Sequence, residues 1–327
     1  MEIRHIPLFK GIDAAERRLP VLIERAKERG PVVWLTAVSH GDEFTGIPVL
    51  HRIFNYFKKN PLKRGTIYGL PIMNILGFEL IKRENPYDDQ DINRSFPGDI
   101  KGDTTERLAA MIFNNIIETN PDLVIDIHSD TLNSIPYIIV DRPLSDEPKV
   151  KETVEKSWQF SERFGVTVTY DIDIPGYRKY QLDKSLTASL INRANITAFL
   201  VELGGPNILN ETFIRTGTKG IKNILVSLKM IDQKEPAWVS ETKIETKGRM
   251  ELLETITTNE NGLIEYLVRP GQFAKTGTRL ATITNILGKT EEVICVQRDC
   301  YIIALGDRAV SFPGSPIINV AAEEVKK

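Results

Sequence analysis

Apolar runs and amphipathic segments alternate along the first two thirds of the chain. Residues 32–38 form an almost continuous apolar run, which is typical of a strand buried on both faces. Residues 44–58 follow with large apolar side chains three and four positions apart, which indicates an amphipathic helix. Further strands are predicted at residues 65–73, 123–127, 136–140 and 197–203, and further helices at residues 14–29, 108–119, 149–164, 185–194 and 220–230. This alternation predicts an α/β fold, with a mostly parallel, mixed sheet flanked by helices on both faces.

The pattern changes after about Gln233. Beyond it, short alternating runs are separated by turn signals that contain glycine, such as Asn261-Gly262 and Pro270-Gly271. This pattern predicts an all-β domain, a sandwich or barrel, whose glycine spacing resembles the half-barrel of biotinyl and lipoyl carrier domains. We find no lysine in a tight hairpin between matching flanks, as a carrier would need, so we interpret the module as a structural cap. The predicted domains are residues 1–235 and 236–327.

Composition narrows the function classes. Of 327 residues, 41% are hydrophobic and 26% are charged, and the formal net charge is −2, so nothing marks a general nucleic-acid or anionic-membrane binder. No apolar run approaches the roughly 18 residues of a membrane span, and residues 1–5 are too polar to open a signal peptide. Cys295 and Cys300 lack the C-x-x-C spacing, which favours ordinary thiols in a reducing compartment. We therefore expect a cytoplasmic protein with neither nucleic acid nor membrane as partner.

Histidines and carboxylates stand at the ends of predicted strands. His40-Gly41-Asp42-Glu43 follows the first apolar run, and Asp126-Ile127-His128 closes a later one, which accounts for two of only four histidines. Glu202 stands near the end of the last predicted strand. In parallel sheets, ligands bind beyond the carboxyl ends of the strands, where these side chains would meet. Two imidazole nitrogens and one carboxylate oxygen form the ligand set of a catalytic zinc.

A long connection precedes the helix predicted at residues 108–119. Residues 74–98 show little sign of regular structure, and loops of this length in compact domains are usually functional. Arg83 and Arg94 lie in this loop, and arginine presents a planar fork that suits a carboxylate or an oxyanion. From composition alone, solvated surface charges are the simpler explanation of both residues.

Five separated motifs occur along the chain. They are His40-Gly-Asp-Glu43, Arg83, Asp91-Ile-Asn93-Arg94-Ser-Phe96, Asp126-Ile-His128-Ser and Val201-Glu202-Leu-Gly-Gly205. In this order they resemble the succinylglutamate desuccinylase/aspartoacylase family, which belongs to the wider zinc carboxypeptidase-like superfamily. The resemblance covers residues 32–207 and implies a zinc-carboxypeptidase-like fold, and the C-terminal β domain also fits the architecture of the family.

The resemblance implies one Zn²⁺ per chain, held by His40, Glu43 and His128. Asp126 stands two residues before His128, on the same strand face, and would orient that imidazole. Glu202 matches the catalytic glutamate of the family, a general base that accepts a proton from water and then, as general acid, returns it to the departing amine.

The resemblance also assigns the loop arginines. Arg83 matches the arginine that polarises the scissile carbonyl and stabilises the oxyanion. Asn93 and Arg94 match the pair that grips a substrate carboxylate. The first domain is therefore expected to be a zinc-dependent hydrolase acting on carbon–nitrogen bonds other than peptide bonds. Its expected substrate is a small N-acyl amino acid or a related metabolite.

Two departures from the family pattern limit what carries over. The stretch before Asn93 is longer than expected of the core family, with residues 84–90 inserted. Upstream of Glu202 we find no match for the residues that recognise the acidic substrate in aspartoacylase. The substrate identity therefore does not carry over. Asp88 and Asp89 hint at a cationic group on the substrate, although an exposed acidic loop is the simpler explanation.

Three alternatives remain open. A metallo-carboxypeptidase or aminopeptidase acting on short peptides needs the same zinc, base and arginines. A non-heme iron oxygenase also uses two histidines and a carboxylate, but it has no need of Glu202 or Arg83. A non-catalytic zinc-binding regulatory protein is the third, and the presence of both residues argues against it. The sequence does not fix the acyl group, the amine or whether the protein forms a homo-oligomer.

Overall fold

The computed structural model describes residues 1–12, 14–233 and 236–324. The elements of its first part are, in chain order, β1 (Glu2–Lys10), β2 (Glu16–Arg25), β3 (Glu28–Ala37), α1 (Gly46–Phe57), β4 (Arg64–Leu70), α2 (Ile75–Leu80), α3 (Thr104–Ile117), β5 (Leu123–His128), β6 (Asn133–Ser134), β7 (Tyr137–Val140), α4 (Pro148–Phe164), β8 (Thr167–Tyr170), α5 (Ile174–Lys179), α6 (Leu186–Ala194), β9 (Ala198–Glu202) and α7 (Glu211–Ser227). Short 3₁₀ turns cover Ile92–Arg94 and Leu182–Lys184. The elements predicted from residue 32 onward are present, although α7 begins earlier than expected.

The helix predicted at residues 14–29 is wrong. Most of this segment is strand β2, in which Leu19, Val21 and Ile23 are buried and alternate with more exposed residues. That two-residue period belongs to a strand. Antiparallel pairing of β2 with both β1 and β4 determines its conformation.

The main sheet is mixed. Its central strands lie in the order β4-β3-β5-β9, and each neighbouring pair is parallel. β7 joins β9 antiparallel, and β8 continues parallel to β7. All six residues of β5 are buried, because helices flank the sheet on both faces. The predicted α/β architecture is therefore confirmed. None of the helices in the described ranges is long and apolar enough to cross a membrane.

The C-terminal part consists of strands. They are β10 (Met250–Leu252), β11 (Ile256–Thr257), β12 (Gly262–Tyr266), β13 (Phe273–Ala274), β14 (Arg279–Thr284), β15 (Thr290–Cys295), β16 (Cys300–Leu305), β17 (Val310–Ser311) and β18 (Pro316–Glu323). Four of them form an antiparallel sheet in the order β15-β14-β12-β17. Ile283 of that sheet shares an apolar core with Ile302 and Val320 of the other strands, so the two layers pack as a sandwich. The expected all-β region is confirmed.

The C-terminal strands extend the main sheet. β10 pairs parallel with β8 and antiparallel with β18, so the sheet continues from one part of the chain into the other. Ile139 and Leu200 of the first part share a buried cluster with Met250 and Ile303 of the second. Asn319 of β18 also donates to the carboxylate of Asp130, two residues after the end of β5, so the β sandwich reaches the carboxyl end of this central strand. The division at residue 235 stays a prediction.

Candidate active site

Three neighbouring strands, β3, β5 and β9, end at the same edge of the sheet. His128 is the last residue of β5 and lies opposite Glu202, the last residue of β9, in the parallel ladder. Ala37 ends β3, and the chain then turns through Val38 to His40. The sheet therefore brings His40, His128 and Glu202 to one edge, as the positions of these residues at strand ends predicted.

The turn after β3 has an unusual backbone. Val38 has φ +55°, in the left-handed region that β-branched residues rarely adopt, at a cost of order 1–3 kcal/mol. Its carbonyl accepts a hydrogen bond from the backbone N–H of Asn74 at 2.9 Å. A Cβ at Gly41 would lie 2.1 Å from the carbonyl carbon of Gly77. Only glycine fits there, so the segment His40-Gly41-Asp42-Glu43 lies directly against the start of α2.

Glu43 lies between two imidazoles. Its Oε1 is 2.5 Å from His40 Nδ1, and its Oε2 is 2.9 Å from His128 Nδ1. All three residues are at most 4% exposed, and one potential ligand atom from each lies within 4.8 Å of the others. Burial opposes ionisation of Glu43, but the two imidazoles outweigh burial and hold the pKa of its carboxyl well below the ordinary value. These three side chains could hold a metal ion.

Each imidazole has another carboxylate behind it. Asp126 Oδ2 lies 2.8 Å from His128 Nε2, and Asp91 Oδ1 lies 3.2 Å from His40 Nε2. Such partners fix the orientation of a ligating imidazole and make it a stronger ligand. Asp126 lies where the sequence predicts. The contact of Asp91 was not predicted, because nothing in the local sequence relates residues 40 and 91.

Arg83 is attached to the same cluster. Its Nη2 donates to Asp91 Oδ2 at 2.9 Å, and its Nη1 lies 3.6 Å from Glu43 Oε1. Its carbonyl accepts a hydrogen bond from the side chain of Asn74 at 3.2 Å, which fixes the backbone. The side chain remains 41% exposed. The guanidinium is therefore held at the centre and still faces the cavity that it lines.

Asn93 and Arg94 lie in the 3₁₀ turn that follows Asp91. Asn93 Oδ1 accepts a hydrogen bond from the backbone N–H of Leu186 at 2.9 Å. The NH₂ group is therefore the part of the Asn93 side chain that can donate to a ligand. Arg94 donates from Nε to the carbonyl of Tyr180 at 3.0 Å and from Nη1 to the carbonyl of Asn93 at 2.7 Å. Among the described residues the Arg94 guanidinium forms no ion pair. Its proposed grip on a carboxylate stays a prediction.

Glu202 is half-buried and incompletely hydrogen-bonded. Its Oε2 is buried and has no hydrogen-bond partner among the described residues. Burial raises the pKa of its carboxyl well above the ordinary value; His128 opposes this increase, and Glu43 adds to it. Buried polar atoms in folded proteins are nearly always paired with protein or water. The unpaired oxygen therefore indicates a place for a polar ligand.

One cavity of about 210 Å³ connects these side chains. All seven residues predicted for the site line it: His40, Glu43, Arg83, Asn93, Arg94, His128 and Glu202. Three further acids that the sequence did not indicate, Asp130, Asp141 and Asp171, line it too. The cavity therefore contains more carboxyl groups than a metal centre and its base require.

The acidic residues of the inserted loop have a structural explanation. Asp88 accepts hydrogen bonds from the backbone N–H and the hydroxyl of Thr105, at 2.8 and 2.6 Å, and so fixes the first turn of α3. Asp89 is exposed, and neither residue lines the cavity. The expected exposure therefore holds for Asp89, whereas Asp88 is held by hydrogen bonds to α3.

The family relationship follows from comparison with known proteins. The family model described as the succinylglutamate desuccinylase/aspartoacylase catalytic domain matches residues 29–228, more than half of the chain. The chain belongs to this family. The resemblance seen in the motifs is thereby confirmed, and the matched segment of this desuccinylase/aspartoacylase family member contains all seven predicted site residues.

The family member has a relative in Halomonas elongata that is named N-alpha-acetyl-L-2,4-diaminobutyric acid deacetylase. The two are 27% identical over 217 residues, which are 65% of this chain and 59% of the relative. The match thus covers less than two thirds of that relative.

Two solved structures show the same fold. One is a succinylglutamate desuccinylase/aspartoacylase from Rhodobacter sphaeroides, with a TM-score of 0.82 and 20% identity over 99% of this chain and 96% of that one. The other is the product-bound ectoine utilization protein EutE (DoeB) from Ruegeria pomeroyi, with a TM-score of 0.79 and 20% identity over 98% and 94%. The predicted zinc-carboxypeptidase-like fold is confirmed.

Proposed function

We propose that this family member is a zinc-dependent amidohydrolase, a deacylase that cleaves the amide bond of a small N-acyl amino acid. One observation carries the proposal. The His40, Glu43 and His128 donors, the unpartnered carboxylate oxygen of Glu202 and the guanidinium of Arg83 all meet in one cavity. Membership of the family supports amide cleavage, and the metal, the roles of the residues and the substrate are our proposal.

The donor set fits one zinc ion per chain. Two imidazole nitrogens and a carboxylate, all buried, are the protein ligands of many catalytic zinc sites. Asp126 and Asp91 supply the hydrogen bonds that ligating imidazoles need on their other nitrogen. When bound, zinc would lower the pKa of a water molecule towards 7 and polarise the substrate carbonyl.

Glu202 is placed to move protons. It lies opposite His128 in the sheet, and its Oε2 has no hydrogen-bond partner among the described residues. In the proposed reaction it accepts a proton from the attacking water and later delivers that proton to the departing amine. The products are a free carboxylic acid and an amine.

Two arginines would hold the substrate at different points. Arg83, fixed by Asp91, donates to the carbonyl oxygen as negative charge develops there, which is commonly worth about 3–4 kcal/mol per donor. Asn93 is fixed to the α6 side of the cavity through Leu186, and Arg94 is fixed to the α5 side through Tyr180. Together they would bind the substrate carboxylate. Both arginines line the same cavity of about 210 Å³, a size that suits a small N-acyl amino acid.

Two further expectations belong to the proposal. The named substrate of the Halomonas relative is an N-acetyl amino acid, which supports a substrate of this class here. Cys295 and Cys300 are unpaired thiols, as expected in a reducing compartment, and we propose that the protein is cytoplasmic.

A substrate panel tests the function. The zinc-loaded protein is incubated with N-acetyl and N-succinyl amino acids, with their α-carboxamides and with short peptides, and the released amine is measured. We expect turnover of at least one N-acyl amino acid and little turnover of the matching carboxamide or of peptides. Peptide cleavage alone would show a peptidase. Turnover that needs iron and oxygen but not zinc would show an oxygenase, and the absence of turnover on all substrates would contradict the proposal.

A further inference from the structure

Two aspartates follow neighbouring strands at the edge of the cavity. β7 and β8 are parallel, and Val140 lies opposite Tyr170 in their ladder. Asp141 and Asp171 are the next residue of each strand, and the backbone N–H of Asp171 donates to the carbonyl of Val140 at 3.1 Å. The ladder therefore places the two carboxylates side by side. Both residues line the cavity that contains His40 and Glu202.

Both carboxylates are buried, and each can still accept a further hydrogen bond. Asp141 is 1% exposed and Asp171 is 7% exposed. Tyr177 donates its hydroxyl to Asp141 Oδ1 at 2.6 Å, and the nearby hydroxyls of Thr187 and Ser185 also oppose the rise that burial causes in the pKa of Asp141. Asp141 Oδ2 nevertheless accepts no hydrogen bond of ordinary geometry from the described residues. Asp171 Oδ1 accepts the backbone N–H of Ile172 at 2.7 Å. A buried carboxylate is costly unless it is paired, so the open acceptors call for a donor.

Neighbouring cations do not supply that donor. Arg142 is engaged behind Asp171, where it donates to the backbone carbonyls of Asp171 and Ile172 and to the carboxylate of Glu251. Arg94 is near enough to lower the pKa of both aspartates, but its hydrogen bonds go to backbone carbonyls. Burial, with repulsion from Asp141, still raises the pKa of Asp171 to about 7. A substrate carboxylate bound at Arg94 would occupy this cation and leave the two aspartates without compensation.

We propose that Asp141 and Asp171 form a subsite for a cationic group of the substrate, an alkylammonium on the amino acid that is released. The inference rests on the proposed deacylase function and names its substrate class, N-acylated amino acids with an amine in the side chain. An ammonium has three donors and no acceptor, and it can satisfy both open carboxylates at once. The small cavity favours a compact ammonium over a guanidinium.

Two matched substrates test the subsite. Nα-acetyl-L-ornithine and Nα-acetyl-L-norvaline differ only in the terminal amine, and Nα-acetyl-L-glutamate carries a negative group instead. At pH 8 with zinc-loaded protein, we expect kcat/KM for the ornithine derivative to exceed that for the norvaline derivative at least about tenfold, the effect of one hydrogen bond to a charged group. The glutamate derivative should be the poorest substrate.

Variants then assign the preference to the two aspartates. In Asp171→Asn and Asp141→Asn, the ratio of kcat/KM for the ornithine derivative over that for the norvaline derivative should fall towards one. Asp146→Asn is the control, because Asp146 lies outside the cavity with its side chain 99% exposed, and this variant should keep the ratio. Isothermal titration calorimetry with L-ornithine and L-norvaline measures the same preference without turnover. If one of the two Asn variants does not fold, the other variant alone is sufficient for the test.

The outcomes separate the two levels of the proposal. Equal activity on the ornithine and norvaline derivatives, with equal product binding, overturns the subsite and leaves the deacylase function standing. Variants that weaken both substrates by the same factor, with an unchanged ratio, show that the pair merely supports Arg94 or the fold, which also overturns it. Absence of turnover on every N-acyl amino acid contradicts the proposed function, and ornithine binding still decides the subsite.

Discussion

Asp91 connects Arg83 to a candidate metal ligand. Its Oδ2 accepts a hydrogen bond from Arg83 Nη2 at 2.9 Å, while its Oδ1 lies 3.2 Å from His40 Nε2. One carboxylate therefore orients an imidazole that would bind the metal and an arginine that would bind the oxyanion. Asp91 therefore links metal binding to oxyanion binding.

Replacing Asp91 should weaken both functions. In Asp91→Asn we expect zinc affinity to fall about 10- to 100-fold, which is typical for loss of a carboxylate behind a ligating histidine, together with a lower kcat at saturating zinc. Competition with a chelator gives the affinity, and steady-state kinetics give kcat. Asp89→Asn removes an exposed charge from the same loop and should change neither. Unchanged affinity in Asp91→Asn would show that His40 does not depend on this carboxylate.

The metal centre is tested by removing a ligand. The purified protein should contain about one zinc per chain, and His128→Ala should lose it together with turnover. Elemental analysis of the protein measures the metal directly. His51→Ala is the matched control, because His51 is an exposed histidine of α1 outside the cavity. A His128→Ala protein that keeps its zinc would contradict the assignment.

The general base is tested by an isosteric change. Glu202→Gln keeps the shape of the side chain and removes the proton acceptor, so zinc should stay bound while kcat falls by about 10²–10⁴. Glu211→Gln, on the exposed surface of α7, provides a control with the same chemistry. If Glu202→Gln retained more than about half of the wild-type rate, another group would have to be the base.

The sequence predicts those parts of the protein that depend on local patterns. The strands β3 and β5 are evident from their apolar runs, and the ends of these strands place His40 and His128 at one edge of the sheet. Strand β2 is wrongly predicted as a helix, because charged residues flank its short apolar alternation. Only the pairing with β1 and β4 determines that the segment is a strand. The contact between Asp91 and His40 depends on the path of a long loop, which no local pattern encodes.

The adjacency of Asp141 and Asp171 was missed for a similar reason. Each aspartate follows a short strand, and only the parallel register of β7 and β8 brings the two together. The sequence hints at a cationic group on the substrate only through Asp88 and Asp89 of the inserted loop, and in the structure Asp88 fixes the start of α3. Acidic residues that are close in sequence were more conspicuous than acidic residues that the sheet brings together.

The two substrate arginines should differ in kinetic effect. Arg83→Ala should lower mainly kcat, because the oxyanion exists only along the reaction path. Arg94→Ala should raise KM if the carboxylate is held equally in the ground and transition states. Both variants are measured on an N-acetyl amino acid and on its carboxamide. If the wild-type protein hydrolyses both equally well and Arg94→Ala is no worse on either, Arg94 does not bind the carboxylate.

Asp171 should make stability depend on pH. Burial and Asp141 raise its pKa from 3.8 to about 7 in the folded protein, against the opposing effects of Arg94 and Arg142. Between these values the unfolded chain loses a proton that the folded protein keeps, so this residue destabilises the fold progressively as pH rises from about 4 through 7. Between pH 5 and pH 8 the effect should be about 2–3 kcal/mol. Asp171→Asn cannot titrate, so its free energy of unfolding should decrease less over this range than that of the wild type. Urea unfolding at both pH values measures the difference, and parallel pH dependences in the two proteins would show that Asp171 does not carry a raised pKa.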